Sequence, residues 1–142
     1  MDDRDQVAPQ RATILVVDDD PGVRHALKFS LELEGFFVRG YRNGGELLRD
    51  SDLPAHGCLV IDFRLPDQTG LDLLAKLRHR QVTLPAIIIT TSPSAAVRQR
   101  AALAGAPIIE KPLLSEALFL GIRAALDGAA KTGRTDGHHG SD

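Results

Sequence analysis

Four short apolar runs constrain the fold more than any other feature of the chain. They are "TILVV" (13–17), "CLVI" (58–61), "AIII" (86–89) and "PII" (107–109). All are mostly β-branched, and none alternates with polar residues, the pattern of strands covered on both faces. A weaker run, "FFVR" (36–39), suits an edge strand. Helical stripes lie between them. Val23, Leu27 and Leu31 form the first, and Asn43 can cap a short second helix holding Leu47 and Leu48. Leu71, Leu74 and Leu77 mark a third, and Val97, Ala101 and Ala104 a fourth. Leu114, Leu118, Ile122 and Leu126 mark a fifth that opens near Pro112. Gly35 and Gly105 stand where helices one and four should end. Five strand–helix pairs in succession imply an α/β fold, a doubly wound five-stranded parallel sheet with helices on both faces.

The chain has 142 residues, enough for one domain, read as 12–127 between flexible tails at 1–11 and 128–142. The second tail, "GAAKTGRTDGHHGSD", holds no large apolar side chain to offset the entropy of ordering, and its His138 and His139 read as solvated. A net charge of −2 without a clustered basic stretch argues against direct nucleic-acid binding. Cys58 is the single cysteine, so no intrachain disulfide forms. Its place in "CLVI" suits a small buried side chain in a reduced, cytoplasmic protein. No apolar run reaches the roughly 18 residues of a membrane helix. The opening "MDDRDQVAPQR" is too polar for a signal peptide.

Sites in doubly wound sheets gather at the carboxyl ends of the strands. There this chain places Asp18 and Asp19 after strand one, Asp62 after strand three, Thr90 at the end of strand four and Lys111 just past strand five. Asp20 precedes Pro21, which reads as helix cap and first helical residue. Three carboxylates on one rim raise one another's pKa, and a hard divalent cation such as Mg²⁺ relieves that conflict. Asp62 then suits a nucleophile that takes a phosphoryl group as an acyl phosphate. Mg²⁺ and Lys111 supply the positive charge such a transfer needs, and Thr90 can donate to a phosphoryl oxygen. Taken singly, the acidic pair could be turn residues, Lys111 a surface lysine and Thr90 an ordinary strand residue.

The set "VVDDD", "CLVIDFRLPDQTGLDLL", "IIITT" and "IIEKP" resembles the receiver domain of two-component response regulators, across nearly all of 12–127. The resemblance implies the flavodoxin-like (βα)5 fold and a phosphoacceptor, not an enzyme proper, that assists its own phosphorylation and dephosphorylation. By motif position the acceptor is Asp62, and the donor is a sensor histidine kinase or a histidine phosphotransfer protein. Asp18 and Asp19 become the metal-binding pair, with Asp19 a direct Mg²⁺ ligand and the backbone carbonyl of Arg64 another. Thr90 becomes the switch hydroxyl and Lys111 the cation of the site, with a cis bond expected before Pro112. Asp67, in "LPDQTG" (65–70), reads as a turn former.

Three features depart from the family pattern. Ile108 stands where the family usually has an aromatic three residues before the lysine, "AGAPIIEKP" is about one residue short, and Thr91 replaces a small residue. Output must then avoid the aromatic route, for instance through the loop "TSPSAA" (91–96). With no output domain after 127, the resemblance implies a single-domain regulator that controls a protein partner or relays phosphate. The family's output face would include Arg98, Arg100, Glu116 and Phe119 here. An alternative is a pseudo-receiver that binds partners without phosphorylation. A small aspartyl phosphatase ranks last, because Arg64 stands where such enzymes carry a second Asp.

Overall fold

A computed structural model describes residues 11–111 and 115–139. Strands β1 (Thr13–Val17), β2 (Phe37–Tyr41), β3 (Gly57–Asp62), β4 (Ala86–Thr90) and β5 (Ile108–Glu110) alternate with helices α1 (Pro21–Leu33), α2 (Gly44–Arg49), α3 (Gly70–His79), α4 (Ala95–Leu103) and α5 (Ser115–His139). All five strands are parallel, in the order β2-β1-β3-β4-β5. The sheet is the doubly wound arrangement that the uninterrupted apolar runs require. β1, β3 and β4 lie inside it, and every residue of β3 and β4 is buried. β2, with its weaker sequence, is an edge strand.

Each face carries its own core. Leu15, Leu59, Ile61 and Ile88 pack under α2, α3 and α4, with Leu47, Leu73, Leu74 and Ala101. Ile14, Val16, Val60 and Ile87 pack under α1 and α5, with Leu27, Leu31, Leu118 and Ile122. Cys58 is fully buried in this second core, where burial pushes its thiol up to about 12. The helix ends follow local signals. Asp20 caps α1 by accepting from the Gly22 and Val23 N–H groups, and Asn43 caps α2 through the Glu46 N–H. Gly35 (φ +98°) and Gly105 (φ +69°) turn the chain out of α1 and α4 in the left-handed region.

α5 runs past Leu126, the last residue of its apolar stripe, to His139. Its packing weakens earlier, since Leu118 and Ile122 are buried and Leu126 only partly so. Beyond that, Ala129, Ala130 and Lys131 are strong helix formers that suit a continued helical backbone. One expectation needs revision: Phe119 is not part of an α4–β5–α5 face. Its ring lies 6.1 Å from that of Phe36, in the core under α1. The proposed tail at 1–11 lies almost wholly outside the described residues, as do Pro112, the bond before it and Leu114. No described helix is long and apolar enough to cross a membrane.

Candidate functional site

Asp18 leaves β1 pointing into the protein. Its N–H continues the ladder to the Tyr41 carbonyl at 3.1 Å, and its Oδ1 accepts the Asp20 N–H at 3.0 Å. Only 1% of the residue is exposed, and Oδ2 has no hydrogen-bond partner. Burial raises the Asp18 pKa, and the charges of Asp62 and Asp19 push the same way. The Asp20 N–H and Lys111 oppose them without cancelling the effect. Asp62 closes β3, between β1 and β4, and is 6% exposed. Its Oδ1 accepts the Arg64 N–H at 3.2 Å, a bond that turns the chain sharply after the strand.

Lys111 arrives by way of Thr90, whose carbonyl accepts the Lys111 N–H at 2.8 Å. That bond sets the lysine at the rim, where Nζ lies 3.2 Å from Asp62 Oδ2 and 3.6 Å from Asp18 Oδ2. Burial works against the ammonium, but the combined attraction of Asp62 and Asp18 wins and its pKa ends above the ordinary value. Thr90 is buried at the end of β4. Two residues on, Ser92 adopts φ +47°, a left-handed conformation that costs a non-glycine residue about 1–2 kcal/mol. Asp19 is exposed, yet Asp18, Asp19 and Asp62 can each bring one carboxylate oxygen within 4.8 Å of the others. This all-oxygen set suits Mg²⁺, and the orphaned Asp18 Oδ2 is the buried acceptor that a cation would satisfy.

The loop after β3 is held from two sides. Gly70 donates its N–H to the Phe63 carbonyl at 2.7 Å, and a Cβ at Gly70 would meet the Asp62 carbonyl oxygen at 2.5 Å. Arg64 forms an antiparallel bridge with Thr69. Asp67 does more than shape a turn. Its two carboxylate oxygens accept the Gly44 and Gly45 N–H groups at 3.1 and 2.9 Å, tying this loop to the start of α2. No local signal in "LPDQTG" announces that contact, because the donors lie 23 and 22 residues away. Arg24 is another residue the sequence reading missed. Its guanidinium donates to the Asp18 carbonyl at 2.7 Å.

The expected output face is split. Arg98 pairs with Glu110 of β5 at 2.7 Å, whereas Arg100 turns to Asp72 of α3 at 3.2 Å. Glu116 is exposed, and Phe119 carries Arg123 over its ring at 5.6 Å on the α1 side.

The response regulator receiver domain family matches residues 14–123, most of the chain. The chain belongs to the response regulator receiver family. The transcriptional regulatory protein FixJ of Azorhizobium caulinodans is 33% identical to this receiver domain over 130 residues. That match covers 90% of the chain and 61% of FixJ. The FixJ of Rhizobium meliloti is 33% identical over 114 residues, covering 80% of the chain and 56% of that protein. The chain therefore spans a little over half the length of these curated relatives. Among solved structures, a CheY-like receiver domain protein from Methanospirillum hungatei superposes with a TM-score of 0.80 at 30% identity, over 87% of this chain and 99% of that one. The structure of FixJ-N superposes at 0.76 with 32% identity, over 84% and 96%. Receiver domains work in two-component systems with a phosphodonor partner and bind Mg²⁺ in an acidic pocket. Here Asp18, Asp19 and Asp62 form an acidic cluster whose oxygens lie close enough to hold a metal ion.

Proposed function

We propose that this receiver domain accepts a phosphoryl group on Asp62, in a Mg²⁺-dependent transfer from a sensor histidine kinase or a histidine phosphotransfer protein. The observation that carries the reading is the convergence of Lys111 Nζ, 3.2 Å from Asp62, with three carboxylates at one sheet edge. Bound magnesium, held by Asp18, Asp19, Asp62 and the Arg64 carbonyl, would neutralise the crowded carboxylates and the oxygens of the incoming group.

The chain's own groups do the rest. Asp62 presents its carboxylate at the open end of β3. Its oxygen bonds to phosphorus as the N–P bond of the phosphohistidine breaks, and the departing imidazole keeps the electron pair and takes a proton from water. Lys111, already shared between Asp62 and Asp18, pairs with a phosphoryl oxygen. Thr90 donates its hydroxyl to another. Ile108 is partly buried against the core, and an aliphatic side chain offers no aromatic switch. The signal therefore runs through Thr90 into the strained loop at 91–96, towards a partner protein or onward phosphate relay in the cytoplasm.

Incubation with acetyl phosphate and Mg²⁺, followed by intact-mass spectrometry, tests the reading. One added phosphoryl group is expected, absent with EDTA and absent in Asp62→Asn. A wild-type protein that gains none sinks the proposal and favours the alternative that Ile108 suggests, a phosphorylation-independent binding module.

A further inference from the structure

We infer that Arg24 is a positioning residue for the metal-binding carboxylates and that Gly40 keeps open the slot in which it works. The inference rests on the proposed Mg²⁺ site and concerns how this chain shapes it.

The reason begins where β1 runs out of partners. The last register pair between β1 and β2 is Val17 with Tyr41. One residue further, the Asp18 N–H still reaches the Tyr41 carbonyl, but β2 then ends, and the Asp18 carbonyl has passed beyond the ladder. A backbone acceptor there needs another donor. Arg24 supplies it from the second turn of α1. Its own N–H donates to the Asp20 carbonyl at 3.0 Å, while its side chain doubles back and donates to the Asp18 carbonyl at 2.7 Å. The peptide joining Asp18 to Asp19 is thereby held at its oxygen. Asp18 is further fixed by the bonds to its N–H and Oδ1. Asp19 is exposed, so its direction depends on that peptide. A loose peptide would let Asp19 swing out of the three-carboxylate cluster.

The stem of Arg24 passes over Gly40 of β2, on the side where a side chain at that position would project. A Cβ built there would stand 3.5 Å from Arg24 Cδ and 3.9 Å from Nε, which is ordinary contact. Alanine therefore fits, whereas the γ-carbons of valine would enter the space the stem occupies. Valine also suits an edge strand, so this change displaces the guanidinium while favouring the fold.

The sign of the electrostatics makes the test decisive. Removing a positive charge beside a cation site strengthens cation binding by Coulomb's law alone. Loss of positioning weakens it. Mg²⁺ dissociation constants are measured by titration calorimetry on the whole chain, and melting temperatures by scanning calorimetry in EDTA. Arg24→Met and Gly40→Val are each expected to weaken Mg²⁺ binding about tenfold, the size typical of partners that orient metal ligands, while Gly40→Ala stays close to wild type. A purely structural Arg24 would lower the melting temperature and leave the dissociation constant alone. An Arg24→Met constant unchanged or tighter overturns the inference, as does a Gly40→Val constant unchanged from wild type. A wild-type protein that takes up no Mg²⁺ sinks the metal site itself, and the inference with it.

Discussion

Lys111 and a divalent cation would neutralise the same carboxylates, so each should matter less when the other is present. The perturbation is Lys111→Met, which keeps the stem and removes the charge. With an effective dielectric constant of about 20, the Coulomb attraction is about 5 kcal/mol for the 3.2 Å contact with Asp62 and slightly less at 3.6 Å to Asp18. Desolvation of the ammonium and the 27% exposure of its side chain return most of that. The lysine pKa nonetheless ends raised, so the balance favours the charged pair. A net loss of about 2 kcal/mol in the metal-free protein follows. At a Mg²⁺ concentration 100 times the wild-type dissociation constant, binding stabilises the wild type by about 2.7 kcal/mol. If loss of the competing ammonium tightens Mg²⁺ binding about tenfold, the variant gains about 4.1 kcal/mol at the same concentration. The deficit then shrinks from about 2 to about 0.6 kcal/mol, since a tenfold change is worth about 1.4 kcal/mol. Urea unfolding followed by circular dichroism, with Mg²⁺ and with EDTA, reads both numbers. An equal deficit in the two conditions would mean that lysine and metal do not share the carboxylates, and the electrostatic account of the site would fail.

Two further predictions rest on single contacts. Asp50 accepts the Tyr41 hydroxyl at 2.6 Å and Arg39 at 3.2 Å, and chiefly the Tyr41 bond holds the Asp50 carboxyl below its usual range. A depressed folded-state pKa gives stability that is present above the unfolded value of about 3.9 and is lost as pH falls through the folded value. Asp50→Asn should therefore cost about 1 kcal/mol at neutral pH and flatten the acid limb of a urea-midpoint profile; an unchanged limb would refute the assignment. Gly70→Ala forces a Cβ against the Asp62 carbonyl. It should destabilise by about 1–3 kcal/mol in urea melts and slow acetyl-phosphate labelling of Asp62, whereas a neutral substitution would show that the loop yields freely.

Much of this site was legible because its signals are local. Asp18, Asp19, Asp62, Thr90 and Lys111 each follow an apolar run, and in a parallel sheet all such positions face the same edge. The caps at Asp20 and Asn43 and the turns at Gly35 and Gly105 depend only on neighbouring backbone, so the residue type alone announces them. The end of α5 was less legible, because a stretch without large apolar side chains can still hold good helix formers.

What the amino-acid order determined by itself is the set of elements, their boundaries within a few residues apart from the end of α5, and the chemical groups offered at the strand ends. Those follow from periodicity and from hydrogen bonds that span a few residues. Tertiary structure alone decided which groups meet. Lys111 reaches two carboxylates because β4 lies between β3 and β5, an order no run of residues encodes. Asp67 holds α2, Phe119 turns to Phe36, and Arg24 doubles back to Asp18 through a slot that Gly40 leaves open. Contacts of this kind depend on strand order, helix placement and side-chain direction together, and these exist only once the sheet has closed around its two cores.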